Sequence, residues 1–295
     1  IKVIIIDNLM SAERENIPDD ERVIFIEGSV ANDEMLGWIK DNIDYCFHLA
    51  TYHGNQSSIH NPIADHDNNT LTSLKLFDYL KDFKNLVKVV YSSAGCSVAK
   101  KTYDTAEETT EESPIEIKQD SPYSISKIIG EFYSVYYHHQ HHLPVVRVRF
   151  QNVYGPGEIL GAGNWRGTAA TIWRNVTPAF IYKALHNKPL PLENNGIATR
   201  DFIYVEDIAR GLVLAALKGE AGDVYNIGSG KETSIRDLAE LIIRYSESSG
   251  GLEYLPKRTW DNSGKRFAST KKSREQLGFG VRVNIGDGLK KTIEW

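Results

Sequence analysis

A chain of 295 residues, 41% hydrophobic and 25% charged, has an ordinary globular make-up and room for one large α/β domain or up to two of usual size. A net charge of −5 excludes the overall basic field that nucleic-acid binding exploits. No apolar run reaches the ~18 residues a membrane-spanning helix needs. Cys46 and Cys96 are the only cysteines, and neither has disulfide-framework or metal-ligand spacing. Residue 1 already lies in a strand-like run, so no leader is expected, and a reducing compartment, the cytoplasm, is.

In chain order, residues 1–6 form a β-branched run that reads as a buried strand ending at Asp7-Asn8. Further strands are expected at 23–26, 45–49, 87–91 and 145–150. Helical stretches fall between them at 33–41, 68–84 and 123–140. Strands alternating with helices predict βαβ units and a parallel sheet, with ligands at the carboxyl ends of the strands. Beyond Gly155 the pattern loosens into two glycine-rich runs, Gly155-Pro156-Gly157 and Gly161-Ala162-Gly163. Helices are expected again at 177–186, 207–217 and 234–245, and a strand at 201–204. This half reads as a smaller, irregular lobe.

The sharpest local signal is Tyr123-Ser124-Ile125-Ser126-Lys127 on a predicted helix. Spacing i, i+4 places Tyr123 and Lys127 on one helix face. Free tyrosine titrates near pH ~10, and a neighbouring ammonium favours its phenolate. Alone, the five residues are a weak signal. Ser121-Pro122 ahead of them marks a helix start. A strand ends upstream in Ser92-Ser93, and another ends downstream in Gln151-Asn152-Val153-Tyr154-Gly155-Pro156.

With these pieces in order, the chain resembles the NAD-dependent epimerase/dehydratase family, the extended short-chain dehydrogenase/reductases. Other matching pieces are Asp7-Asn8-Leu9, His48-Leu49-Ala50, Asn68-Asn69-Thr70, residues 200–207 and residues 225–230. The resemblance implies an α/β fold: a Rossmann-type doubly wound parallel sheet with a smaller α/β substrate-binding lobe. The NAD-binding part is expected over residues 1–155 with a returning segment at about 197–228, and the nucleotide-sugar lobe over 156–196 and 229–295.

The resemblance also implies roles. Tyr123 and Lys127 are the expected catalytic pair. Asp7, with Asn8, would meet the adenosine ribose, where a carboxylate favours NAD over NADP. Ser29 and Val30 would edge the adenine, although many relatives carry Asp at Ser29. Leu49, Ala50, Thr51, Asn68, Ser92 and Gln151 would line the cofactor. Asn68 is also read as a helix N-cap. For the nucleotide-sugar, Asn152, Asn175, Leu192, Arg200, Arg258 and Asp261 are expected. Guanidinium pairs bidentately with phosphate oxygens, which suits Arg200 and Arg258 as clamps. The partner is a UDP-sugar, with no nucleic acid, membrane or metal expected. The helices at 68–84 and 123–140 resemble the family's dimer-forming pair, which implies a homodimer through a four-helix bundle.

Two departures stand out. The family opens with a strand and a G-x-x-G-x-x-G turn, whose backbone N–H groups meet the cofactor pyrophosphate. Here Ile6 is followed by Asp-Asn-Leu, so a first strand and glycine-rich loop, about 30 residues on the scale of part of a βαβ unit, are expected to be missing from the chain. The family also places a Ser or Thr beside the sugar hydroxyl, and in the usual register that position is Ala94. Ser93 and Cys96 are the nearest substitutes, with water a third. Nucleotide-sugar dehydratases carry Asp-Glu after that Ser/Thr, whereas Gly95 and Cys96 stand here. The reading is therefore a C4 epimerase, ahead of a 4-keto-sugar reductase or dehydratase, with a non-catalytic NAD-binding regulator as the alternative of another class. His138, His139, His141 and His142 close a predicted helix and suit its negative C-terminus rather than a metal. His53, Asn55 and Gln56 are expected to face the nicotinamide or the sugar, and Trp165 and Arg166 to lie in an insertion-like loop that closes over the substrate.

Overall fold

The structure is a computed structural model and describes residues 1–52, 54–100, 102–158, 175–259 and 264–295. Asp261, His53, Trp165, Arg166 and the run Gly161-Ala162-Gly163 lie outside the described residues. The elements run β1 (Val3–Asp7), β2 (Val23–Glu27), α1 (Asp33–Leu36), β3 (Tyr45–His48), α2 (Asn55–His60), α3 (Pro62–Asp65), α4 (Thr72–Leu80), β4 (Lys88–Ala94), β5 (Glu108–Thr109) and α5 (Pro122–His141). Next come β6 (Val145–Phe150), β7 (Asn152–Tyr154), α6 (Val176–Leu185), β8 (Leu190–Glu193), β9 (Thr199–Arg200), β10 (Phe202–Tyr204) and α7 (Val205–Lys218). The chain closes with β11 (Val224–Ile227), β12 (Thr233–Ser234), α8 (Ile235–Ser246), β13 (Leu252–Leu255), β14 (Phe267–Ala268) and α9 (Ile285–Glu294).

β3, β4, β6 and β11 form one parallel sheet in the order β11-β6-β4-β3. β4 and β6 read as nearly continuous apolar runs because both their faces are covered, whereas Tyr45 and Phe47 of the edge strand β3 are exposed. Successive side chains alternate between faces, so Val89 and Tyr91 join a core with Leu76, Phe77 and Leu80 of α4 and Tyr137 of α5. Val90, between them, joins a second core with Ile208, Leu212 and Ala215 of α7. Helices on both faces make this the doubly wound α/β architecture. Each fully buried Leu or Phe contributes about 1.5–3 kcal/mol. A third core, built on Tyr154, Leu190, Leu192, Leu238 and Ile242, joins β7, β8 and α8.

β1 and β2 pair in parallel with each other, Val3 opposite Val23, and belong to no larger sheet among the described residues. Asp7 is followed by a tight turn in which Leu9 N–H donates to Asp7 Oδ1 at 2.8 Å and Leu9 takes a φ of 51°.

Helix α5 carries the Tyr123–Lys127 pair. Ser121 caps it, its side chain accepting from Ser124 N, and Pro122 occupies the first turn. A further free N–H at this end, that of Tyr123, donates to Ser58 Oγ of α2 at 3.1 Å. Gly130 allows close approach to the sheet, since a Cβ there would lie 1.9 Å from Tyr91 Oη. The helix ends at His142 in the left-handed region (φ 58°), and His138 Nδ1 lies 3.0 Å from Leu143 O. Between α3 and α4 the chain winds one π-helical stretch, His66–Leu71, a form that recurs at functional sites.

Candidate active site

The carboxyl ends of β3, β4 and β6 open into a cavity of about 1220 Å³. Leu49 and Thr51 follow β3, Ser92 and Ser93 end β4, and Gln151 follows β6; all five line it. Tyr123 and Lys127 form one wall, with Ser11 and Asn16 also on the lining. Asn152, Asn175, Arg200 and Arg258 line it as well. Most sequence-predicted site residues are thus brought together around one space.

Lys127 is buried, and its Nζ donates to Ser92 O at 2.9 Å. Its Nζ lies 5.8 Å from the Tyr123 ring centroid. Burial pulls Lys127 down to about 8, opposed by the charges of Asp65 and Cys96. Burial pushes the Tyr123 hydroxyl above its ordinary range, while a hydrogen bond with Thr51 works the other way. Behind the pair, His48 hydrogen-bonds Ser73 Oγ at 2.9 Å, and burial, then Lys127, pull it down to about 3, so it is neutral at physiological pH.

The π-helical stretch changes the reading of Asn68 and Asn69. The sequence places Asn68 at the start of the long helix, near the cofactor or else as an N-cap. It lies inside the helix, and its side chain donates to Ala64 O at 2.8 Å. The residue that reaches the loop after β3 is Asn69. Its Oδ1 accepts from Thr51 Oγ1 (3.0 Å) and Tyr52 N (2.8 Å). Its Nδ2 donates to Tyr52 O (3.1 Å) and to Asp65 Oδ1 (2.7 Å). Asn69 therefore holds the Thr51-Tyr52 backbone against the helix that bears Asp65, a carboxyl raised by burial and lowered by hydrogen bonds from Ser126 and Asn69. Both residues lie in the π-helical winding, and Asn69 is the one that holds the loop after β3.

The turn after β4 departs from the expected arrangement in a defined way. The Ser93 hydroxyl donates to Glu131 Oε1 at 2.5 Å, which directs its proton into the protein. Glu131 is held by a buried bidentate pair with Arg149, whose Nε and Nη2 donate at 2.9 Å each. Burial raises and the Arg149 guanidinium lowers the Glu131 carboxyl, and the net position is below its ordinary value. Cys96 lines the cavity, with its Sγ 3.9 Å from Ser124 Oγ. Gly95 is packed by Gln151: a Cβ on Gly95 would lie 2.1 Å from Gln151 Nε2.

Several expected residues do not reach the cavity. Leu192 is fully buried in the third core, and strand alternation turns its neighbours Pro191 and Glu193 to the cavity instead. Val30 packs in the first core. Ser29 Oγ accepts from Ala31 N at 3.2 Å, and Asn8 Oδ1 from Met10 N at 3.1 Å, so both serve local turns. Ala50 is exposed beside the lining residues. Asp7 is outside the lining, with one carboxylate oxygen on Leu9 N.

Arg200 Nη1 donates to Thr199 O and Gly264 O, both at 2.6 Å. Arg258 pairs with Glu193, and Asn175 Nδ2 donates to Glu158 Oε1 at 2.8 Å. Asp201, next to Arg200, accepts from Ser229 N (2.7 Å) and Gly230 N (3.0 Å), tying β9 and β10 to the loop after β11. Lys183, Lys257 and Arg266 also line the cavity, and no motif marked them in the sequence.

Comparison with known proteins agrees with this geometry. The chain is 60% identical, with a TM-score of 0.86, to the Bordetella bronchiseptica enzyme WbmF solved in complex with NAD+ and UDP; the match covers 100% of this chain and 83% of that one. It is 28% identical over 297 residues to a putative UDP-glucose 4-epimerase of Methanocaldococcus jannaschii, covering 99% of this chain and 90% of the relative. It is also 28% identical to a trifunctional UDP-glucose 4,6-dehydratase/UDP-4-keto-6-deoxy-D-glucose 3,5-epimerase/UDP-4-keto-L-rhamnose-reductase of Arabidopsis thaliana, covering 92% of this chain but only 39% of that protein. Residues 1–228 match the NAD-dependent epimerase/dehydratase family, and the chain belongs to that family.

Proposed function

We propose that the protein epimerises a nucleoside-diphosphate sugar, a UDP-sugar, at C4 through a 4-keto intermediate, with residues 1–155 and about 197–228 holding NAD and the remainder holding the sugar nucleotide. The observation that carries this reading is the convergence of Tyr123, Lys127 and Thr51 in a cavity that Arg200 and Arg258 also line. The relatives named above, a putative UDP-glucose 4-epimerase and an enzyme solved with NAD+ and UDP, support it.

The residues present fit NAD. Lys127 spends one of its three N–H donors on Ser92 O, which leaves two for the hydroxyls of a ribose. Bound NAD supplies the hydride acceptor and donor for the reacting carbon, and its positive nicotinamide ring favours a nearby phenolate. Tyr123 Oη takes the proton from the sugar O4 as C4 becomes a ketone, and returns it when the alcohol re-forms with the other configuration. Lys127 stabilises the phenolate and orients the ribose. Arg200 and Arg258 hold the diphosphate, Arg258 by exchanging Glu193 for phosphate oxygens. Because the Ser93 proton is committed to Glu131, Ser93 meets the sugar hydroxyl as an acceptor, with Cys96 beside it on the wall. Elimination of water calls for a carboxylic acid to protonate the leaving hydroxyl. Gly95 and Cys96 supply none, and Gln151 fills the space that a side chain at 95 needs.

Full-length protein incubated with NAD and a panel of UDP-sugars should yield the C4 epimer, read by NMR, with no net change in NADH absorbance. Water loss, or stoichiometric NADH consumption on a 4-keto-sugar without epimer, would overturn the reading in favour of a dehydratase or a reductase. NAD binding without turnover on any nucleotide-sugar would leave a regulator.

The same proposal includes a homodimer. Ile125, Phe132 and Tyr136 are exposed along α5, and with the half-buried Ile129 they recur at i, i+4, i+7 and i+11, one apolar stripe. Ile59 and Ile63 extend it onto α2 and α3. Sedimentation should give twice the 33.2 kDa chain mass, and Phe132→Glu should give the monomer with the fold intact. A monomeric wild type at micromolar concentration rejects the dimer.

A further inference from the structure

Arg266 immediately precedes the strand β14 and is 9% exposed. It lines the cavity, and its backbone N–H donates to Thr199 Oγ1 at 3.1 Å. Among the described residues its guanidinium makes no hydrogen bond and no ion pair, and Nη1 is buried without a partner. Leaving a buried donor unmet costs about 1–3 kcal/mol, and more when it is charged. The other deeply buried guanidinium, Arg149, is met by both oxygens of Glu131. Among the described residues of the cavity wall no carboxylate is placed to do this for Arg266: Glu158 accepts from Asn175 and Glu193 pairs with Arg258.

Lys265 N–H donates to Thr102 O at 2.7 Å, and Phe267 pairs with Glu108, so Arg266 is fastened to the segment that leaves the Gly95–Ser97 turn. On its other side, Ala268 N–H reaches Asp201 Oδ2 at 3.5 Å. Asp201 and Gln151 both close on Gly228, where a Cβ would lie 2.6 Å and 2.5 Å from them, and Gln151 in turn packs on Gly95. These contacts hold Arg266 between the segment after the Gly95–Ser97 turn and Asp201, with its own N–H on Thr199, the neighbour of Arg200. Arg258 instead pairs with Glu193 at the end of β8.

We propose that Arg266 recognises a carboxylate on the sugar, so that the substrate class is a nucleoside-diphosphate uronic acid. This rests on the nucleotide-sugar reading above. A planar guanidinium matches a carboxylate bidentately. A neutral hexose brings only hydroxyls and leaves the buried charge uncompensated.

The test is calorimetric titration of the full-length protein, with NAD present, by UDP, UDP-glucose and UDP-glucuronate. Wild type should bind UDP-glucuronate about tenfold or more tighter than UDP-glucose, the scale of one added charge-assisted contact. Arg266→Gln should erase that preference and leave the affinity for UDP unchanged, while Arg266→Lys should keep part of it. Equal wild-type affinity for the two sugars overturns the proposal. So does an Arg266→Gln protein that loses affinity for UDP as much as for UDP-glucuronate, which would assign the guanidinium to the diphosphate. Failure of UDP itself to bind would sink the nucleotide-sugar reading, a separate outcome from UDP binding without carboxylate preference. Thermal unfolding checks that Arg266→Gln folds, and the wild-type ratio decides the question if it does not.

Discussion

Tyr123→Phe should lower kcat by on the order of 10²–10⁴, the range for loss of a general acid–base group, while the thermal midpoint and the affinity for UDP stay at wild-type values. The substitution removes one oxygen and keeps the ring against the cavity wall. The backbone anchors of Tyr123, its N–H on Ser58 Oγ and its C=O accepting from Ser126 Oγ, do not depend on the hydroxyl. In the proposed reaction Tyr123 holds the O4 proton, while Lys127 gives one N–H to Ser92 O and His48 is turned to Ser73. A Phe variant that retains wild-type turnover would remove Tyr123 from the role of base. A variant that loses UDP affinity in proportion would make it a binding group.

Arg149→Met should destabilise the fold by about 3–5 kcal/mol, since it strands a buried carboxylate. Both partners are almost wholly inside, with side chains 5% and 3% exposed. Glu131 has its folded pKa below the unfolded value, the Arg149 pairing overcoming the burial that raises it. Its contribution in the wild type is therefore present above the unfolded pKa of about 4.3 and lost as pH falls through the folded value. In Arg149→Met the sign reverses, because burial without a partner raises the folded pKa. The variant gains relative stability as pH falls from neutral towards about 4. Urea unfolding of the two proteins at neutral pH and near pH 4 should show the gap narrowing. A gap that stays constant would show that Glu131 is not the group left unpaired. Adding Glu131→Leu to Arg149→Met should recover most of the loss, as an apolar pair often does at such sites. Ser93 should report the change too, because Glu131 is the acceptor of its hydroxyl.

Much of the site was legible because its signals are local. Tyr123 and Lys127 share a helix face by spacing alone, and Ser121-Pro122 marks where that helix begins. The strand ends at Ser92-Ser93 and Gln151 fall where apolar runs stop, so their place on the cavity follows from the parallel-sheet pattern. Leu192 illustrates the limit. Period-two alternation turns Pro191 and Glu193 to the cavity and Leu192 into the core. Asn68 and Asn69 both lie in the π-helical stretch His66–Leu71, a winding that no residue type announces.

By itself the amino-acid sequence determined the alternation of strands and helices, the Tyr123–Lys127 pair on one face of α5 and the family, since each is written in short-range spacing. Tertiary structure alone decided which groups satisfy one another. The Ser93–Glu131–Arg149 chain joins the end of β4, the middle of α5 and β6. Arg266 reaches the cavity only because β14 pairs with β5, more than a hundred residues earlier in the chain. Hydrogen bonds and charges are settled by what lies within about 3 Å in space, and a sequence specifies such neighbours only once the sheet has brought distant strands together.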